Sequence, residues 1–196
     1  MKIGLYGGSF DPVHLGHLLV AHAALEEMGL DRIIFIPASE SPFKAGRRLA
    51  HSATRLRLLR LALAGCPAFE VDDLEIRRGG VSYTIDTVRE MARRHPGVEW
   101  SWLIGADHLQ LLDSWKDAEA LSSLVNFVVI PRPGQEPDLY PAGISVRRLR
   151  GWPISLSASE IRSRVRAGLP IGHLVPPAVA EAITTGGIYT GTDTVP

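Results

Sequence analysis

The sequence predicts an α/β protein built on a doubly wound parallel sheet, and three observations carry that prediction. Its short apolar runs, such as Ile3–Tyr6 and Arg32–Pro37, do not alternate with polar residues, which suits strands buried on both faces. Between these two runs, Leu15, Leu18, Leu19, His22, Leu25 and Met28 recur near helical spacing. Strand, helix and strand therefore fit into about 35 residues, the size of a βαβ unit with a right-handed crossover. With 196 residues, 45% of them hydrophobic, the chain can bury one core of ordinary size. A single domain over 1–196 is expected, with a small helical C-terminal subregion at about 157–190.

Taken in order, the first helix covers Leu15–Met28 and Gly29 stops it. After the second strand comes a polar loop, 38–51, at the carboxyl end of the sheet, where open α/β folds place ligands. Lys44, Arg47 and Arg48 make this loop basic. A second helix runs from Ser52, its candidate N-cap, to Ala64. Leu56, Leu59 and Leu63 share one face of it, and Arg55, Arg57 and Arg60 read as its wet side. Phe69–Asp72 is a third strand and Arg77–Gly80 a turn. Thr84 then caps a helix that reaches about Arg94. Val98–Ile104 is a fourth strand, and Gly105-Ala106-Asp107 after it turns backbone N–H groups and one carboxylate toward a cleft. Trp115 follows on a short helical stretch.

Val125–Ile130 is a fifth strand. The segment 131–143, with Arg132 at its root and prolines at 131, 133, 137 and 141, is irregular. Ile144–Leu149 and Pro153–Leu156 read as strands. Ser157 and Glu160 stand at capping-box spacing, so a helix begins there and Gly168-Leu169-Pro170 ends it. A last helix covers about Pro177–Ile183, and the final ten residues are expected to fray.

Composition excludes several classes. Lys plus Arg and Asp plus Glu both number 21, which argues against a general nucleic-acid or membrane-surface binder. Cys66 is the lone cysteine, so no intrachain disulfide forms, and it reads as a packed helix-end residue. The N-terminal apolar run is too short for a signal peptide, and no stretch reaches the length of a membrane span. A cytoplasmic protein is expected.

Two corners carry chemistry. In Gly7-Gly8-Ser9-Phe10-Asp11-Pro12-Val13-His14-Leu15-Gly16-His17, glycines open a strand-to-helix corner and the helix start supplies N–H donors to an anion. His14 and His17, three apart, share a face, and Gly16 leaves room between them. Two imidazoles at such a mouth suit a polyphosphate. A metal pair would need a third ligand, and none lies nearby in sequence, so no protein metal site is expected. The second corner is the helix start at Ser157, with Ser159 and Arg162 beside it. An ordinary capping box also explains it.

The first corner resembles the H-x-G-H signature of the nucleotidyltransferase superfamily, with the G-G-[ST]-F-D-P lead-in of nicotinate-mononucleotide adenylyltransferases. Ser82-Tyr83-Thr84-x-Asp86-Thr87, Ile104-Gly105-Ala106-Asp107, Trp115 and the Ser157–x–Ser159–x–x–Arg162 corner are similar to further motifs of that family, and the resemblance spans Gly7 to about Tyr189. It implies a Rossmann-like nucleotidyltransferase fold and adenylyl transfer from ATP, with Mg2+, to nicotinate mononucleotide. His14, His17 and Arg162 are implied as catalytic, and Gly8, Ser9, Phe10, Gly105, Asp107, Ser157, Ser159 and Ile161 as further ATP contacts. Lys44, Thr84, Trp115, Lys116 and Arg132 are implied on the mononucleotide. Relatives often carry Pro-Pro-His-Lys where this chain has Ser41-Pro42-Phe43-Lys44, so no role passes to Phe43. Pantetheine-phosphate adenylyltransferases and class I aminoacyl-tRNA synthetases share the first corner. The former lack this Ser-Tyr-Thr and Trp context, and the latter's Lys-Met-Ser-Lys-Ser loop is not found here. A nucleotide-binding sensor is the alternative outside catalysis, and His14, His17 and Arg162 argue against it.

Overall fold

The structure is a computed structural model that describes residues 1–42, 49–109, 111–130, 144–152 and 154–191. Six strands form one sheet: β1 (Lys2–Gly8), β2 (Arg32–Pro37), β3 (Phe69–Val71), β4 (Glu99–Gly105), β5 (Asn126–Ile130) and β6 (Val146–Arg148). Their order is β3-β2-β1-β4-β5-β6, and every pairing is parallel. The chain starts in the centre, winds outward through β2 and β3, then returns across β1 to β4. That makes the β1–β4 boundary the switch point, where a crevice opens at the carboxyl ends of the strands.

The winding follows from alternation within buried strands. In β2, Ile33 and Phe35 join one core, and Ile34 and Ile36 join the other. Side chains on successive residues face opposite sides of a sheet, so each apolar run feeds two layers. The first core takes α1 (Leu15–Met28) and α2 (Ser52–Leu63). The second takes α3 (Leu74–Arg78), α4 (Thr84–Arg94) and α6 (Ala118–Leu124), reached through a short α5 (Ala106–Leu109). The C-terminal helices α7 (Ala158–Arg166) and α8 (Pro177–Thr185) pack Ile161, Val179 and Ile183 into the first core.

Several expectations are corrected. The segment expected as a turn at Arg77–Gly80 begins inside α3, and only Gly79 and Gly80, both at positive φ, make the turn. His51, not Ser52, caps α2, accepting from the Ala53 N–H at 3.3 Å. Tyr83, not Thr84, occupies the N-cap of α4. The described residues of 152–156 form no strand. α3 and α6 were not expected at all. The chain end is not wholly frayed: Tyr189 is buried at 4% exposure. No helix among the described residues is long and apolar enough to cross a membrane.

Candidate active site

A cleft of about 840 Å³ opens at the switch point, at the upper end of ordinary ligand pockets. Its wall includes Gly8, Ser9, Phe10, His14 and His17 from the first corner, Gly105 from the end of β4, and Ser157, Ser159 and Arg162 from the second corner. Thr84 and Trp115 line it as well. Sequence positions 150 residues apart are thus brought to one surface. Ile161 and Lys116 are not on this wall. Ile161 is fully buried in the first core, and Lys116 is exposed, paired with Asp86 at 2.9 Å and lying over the Tyr83 ring. Lys44, Arg132 and the side chain of Asp107 lie outside the described residues.

The first corner is built differently from the turn its glycines imply. Gly7 and Gly8 end β1 in extended backbone, and Phe10 carries the positive φ, 45°. A Cβ on Gly7 would stand 2.6 Å from the Trp102 ring, so that glycine answers to packing. Gly16 answers to the histidines, because a Cβ there would meet His14 Nδ1 at 3.0 Å. His14 is the N-cap of α1, and its ring stacks on that of His17 with centroids 3.7 Å apart. The His14 N–H donates to His17 Nδ1 at 3.2 Å. An imidazole nitrogen that accepts holds no proton, so the neutral His17 ring carries its proton on Nε2 and donates from there. The backbone donors expected at this helix start are largely used within the chain. Leu15 donates to the Leu174 carbonyl, and His17 and Leu18 donate to that of His14. The anion-binding capacity of this corner therefore rests on its side chains.

The second corner keeps its expected cap, with Ser157 Oγ accepting from the Glu160 N–H at 3.1 Å. Arg162 joins this corner to the first. Its Nη1 donates to the Asp11 carbonyl at 2.6 Å and its Nη2 to Ser159 Oγ at 3.1 Å.

Sequence reasoning placed Arg55 in water, and the structure buries it at 1% exposure. Its guanidinium donates to the carbonyls of Ala50 at 3.0 Å, Ser9 at 2.7 Å and Ala38 at 2.8 Å. One side chain thus fastens the first corner to the loop after β2. Burial pushes its pKa down, while the charge of Asp11 opposes that. The signal for this was present: Arg55 stands at i, i+3, i+4 spacing with the buried Leu58 and Leu59.

On the opposite side of the cleft sits Glu75, also buried and also missed. Thr87 Oγ1 donates to its carboxylate at 2.5 Å, and Arg78 donates to Thr87 at 3.1 Å. Ser82 bonds the same carboxyl and accepts from the Ser39 N–H at 3.0 Å. Burial raises the Glu75 pKa, and the bonds from Thr87 and Ser82 and the charge of Arg78 only partly offset it. Trp152 and Ile154 complete the rim as exposed apolar side chains. Their loop hangs on Glu27, which accepts from the N–H groups of Arg150 and Gly151, both at 2.8 Å.

A six-stranded parallel sheet in this order, with stacked histidines and an arginine lining the cleft at its switch point, fits a nucleotidyltransferase. The chain matches the cytidylyltransferase-like family over residues 5–164. A probable nicotinate-nucleotide adenylyltransferase of Herpetosiphon aurantiacus is 40% identical to it over 197 residues, covering 96% of this chain and 98% of that one. Another, of Gemmatimonas aurantiaca, is 42% identical over 196 residues, covering 96% and 92%. The chain belongs to the nicotinate-nucleotide adenylyltransferase family. In fold it is similar to the Plasmodium falciparum nicotinic acid mononucleotide adenylyltransferase complexed with NaAD, with a TM-score of 0.78 at 20% identity, covering 96% of this chain and 97% of that one.

Proposed function

We infer that the cleft joins nicotinate mononucleotide to ATP, giving deamido-NAD and pyrophosphate in NAD synthesis, and that the whole chain works as one unit in the cytoplasm. The observation that carries this reading is the meeting of His14 and His17 with Ser159 and Arg162 on one wall. A mononucleotide phosphate oxygen attacks the α-phosphorus of ATP in line. The bond from that phosphorus to the bridging oxygen breaks, and its electrons leave with pyrophosphate. The attacking phosphate is already ionised, so positioning and charge stabilisation supply the catalysis rather than a strong base.

His17 Nε2–H and the His14 ring hold the triphosphate, and Arg162 with Ser159 receives the leaving pyrophosphate. Gly8, Ser9, Phe10 and Gly105 form the wall against the nucleotide. Mg2+ would enter with ATP, held mainly by the substrate phosphates as such ions usually are. Among the described residues no three His, Cys, Asp or Glu side chains gather into a metal cluster. Bound to the phosphates, Mg2+ would neutralise the charge that develops on their oxygens.

The pyridine ring goes to the Thr84 and Trp115 side, where Trp115 stacks on its cation. A pocket that selects an acid over an amide offers donors only. The Trp115 N–H is already spent on the Leu112 carbonyl at 3.0 Å, and those of Asp86 and Thr87 on the Tyr83 carbonyl, so the N–H groups of Thr84 and Ile85 at the start of α4 are the donors for the carboxylate. The test is pyrophosphate release with a panel of mononucleotides. Nicotinate mononucleotide should exceed its amide analogue in kcat/KM by as much as about 10⁴-fold, the discrimination such pairing sites reach. Equal values would remove the donor-only pocket.

A further inference from the structure

We propose that Tyr189, in the C-terminal turn, is a positioning residue that keeps the Arg162 guanidinium available to phosphate by restraining the carboxylate of Asp11. The proposal rests on the functional reading above and concerns the same cleft. Asp11 is buried at 2% exposure and sits at the centre of the first corner. Its Oδ1 accepts two bonds, from the Tyr189 hydroxyl at 2.7 Å and from the Ala50 N–H at 3.3 Å. Its Oδ2 stands 3.7 Å from Arg162 Nη1, beyond hydrogen-bond distance. Arg162 instead bonds the Asp11 backbone carbonyl at 2.6 Å. The guanidinium is therefore oriented by Asp11 without being clasped by its carboxylate, and its side chain keeps 24% exposure on the cleft wall.

The chain invests conformational strain in this contact. Tyr189 sits at φ 70°, a left-handed backbone that favours glycine, between Gly187 and Gly191, which are also at positive φ. Such a conformation persists only where its surroundings over-determine it. Burial, reinforced by the Asp11 charge and by the bond to it, holds the phenol pKa well above its ordinary range, so the hydroxyl stays a donor. The bond from Leu15 N–H to the Leu174 carbonyl ties the same corner to the same C-terminal region.

Without the Tyr189 hydroxyl, the carboxylate loses its shortest donor. The nearest replacement is the fork of Arg162, whose bidentate pairing with a carboxylate is strong. That closer pair would draw the positive charge off the phosphates. The consequence is a coupling that a purely structural role does not produce: the loss should vanish when the carboxylate is replaced by its amide.

The experiment is a calorimetric titration of the full chain with inorganic pyrophosphate, for the native sequence, Tyr189→Phe, Asp11→Asn and the double variant. Tyr189→Phe should bind about tenfold more weakly, the size of one hydrogen bond to a charged group. Asp11→Asn should bind at least as tightly as the native chain, and the double variant should match Asp11→Asn. In turnover assays, KM for ATP should rise in Tyr189→Phe by a similar factor while KM for the mononucleotide stays within about twofold. Native affinity in Tyr189→Phe overturns the proposal, as does an equal loss in both backgrounds. If Tyr189→Phe does not fold, Asp11→Asn decides alone, and a tenfold loss there overturns it. Absence of turnover in the native chain would instead sink the functional reading, which the pyrophosphate titration does not depend on.

Discussion

The cleft has two sides, and each is organised by one buried ionisable side chain. On the side proposed for the phosphates it is Arg55, which ties three backbone carbonyls together close to Asp11, Arg162 and Tyr189. On the side proposed for the pyridine ring it is Glu75, held by hydroxyls, with Arg78 bonded to it through Thr87. The first is a network of opposite charges, and in the second a buried carboxyl is bonded mainly by hydroxyls. The difference suits the ligands proposed above. Phosphate groups need fixed positive donors whose charge does not vary, and arginine provides that at any physiological pH. A pyridine ring carrying a carboxylate needs donors held in place, and a second strong charge there would compete with it.

The largest effect should come from cutting the phosphate-side network. Arg55→Met keeps the length of the stem and leaves the carbonyls of Ser9, Ala38 and Ala50 without their donor. Breaking a buried charged network by removing one partner costs about 3–5 kcal/mol. Chemical denaturation should show a loss of that size, and a loss below about 1 kcal/mol would mean that other donors or water replace the guanidinium.

His17→Ala should come next, and it should act on turnover rather than on the fold. Loss of one preorganised donor costs about 10²–10³ in kcat. His17 is partly exposed, and its ring accepts the His14 N–H, so the melting point should move little. Near-normal turnover in the folded variant would remove His17 from the reaction. Ser157→Ala is the contrast at the second corner. It deletes a cap, and thermal melts should register about 1 kcal/mol. Activity should persist, because Ser159 and Arg162 keep their places.

These predictions follow the boundary between what could be read in the sequence and what could not. The parallel sheet, the two corners and the cap at Ser157 were legible because each rests on local pattern: apolar runs, Gly and His at fixed spacing, a Ser three before a Glu. His14 and His17 were expected to share a helix face. They do meet, but with His14 as the cap rather than inside the helix. Arg55, Glu75 and Tyr189 were not legible as site residues, because their partners are distant in sequence. Tyr189 reaches 178 positions back to Asp11, and Glu75 meets Thr87 from the next helix. A charged residue on an amphipathic helix reads as solvated unless its spacing places it with buried leucines, and Arg55 passes that test only when Leu58 rather than Leu56 is taken as the core position. Trp115 combined both readings: it packs on the second core and still lines the cleft.

The smallest expected effect isolates the pyridine-side hub by its pH dependence. Glu75 titrates from an ordinary value of 4.5 to a higher one in the folded chain, with burial as the main cause. A raised folded pKa means that the folded state holds the proton more tightly than the unfolded chain. Its contribution to stability is therefore full below pH 4.5 and is lost as pH rises through the folded value. Carboxylates stabilised in their charged form act in the opposite sense, and Glu90, drawn down to about 2 by bonds from Arg93 and Arg94, is one of them. Its contribution is present above the ordinary carboxylate pKa and fails as pH falls toward about 2. The two windows do not coincide, so Glu75 can be read on the higher side of pH 4.5. Glu75→Gln keeps an oxygen to accept from Thr87 and places an amide donor toward Ser82, copying the protonated acid. Denaturation curves taken from pH 4.5 upward should lose less stability with rising pH in Glu75→Gln than in the native chain, while the two agree near the acidic end. Identical slopes would mean that Glu75 ionises at no cost, and the pyridine side would then hold a charge much as the phosphate side does.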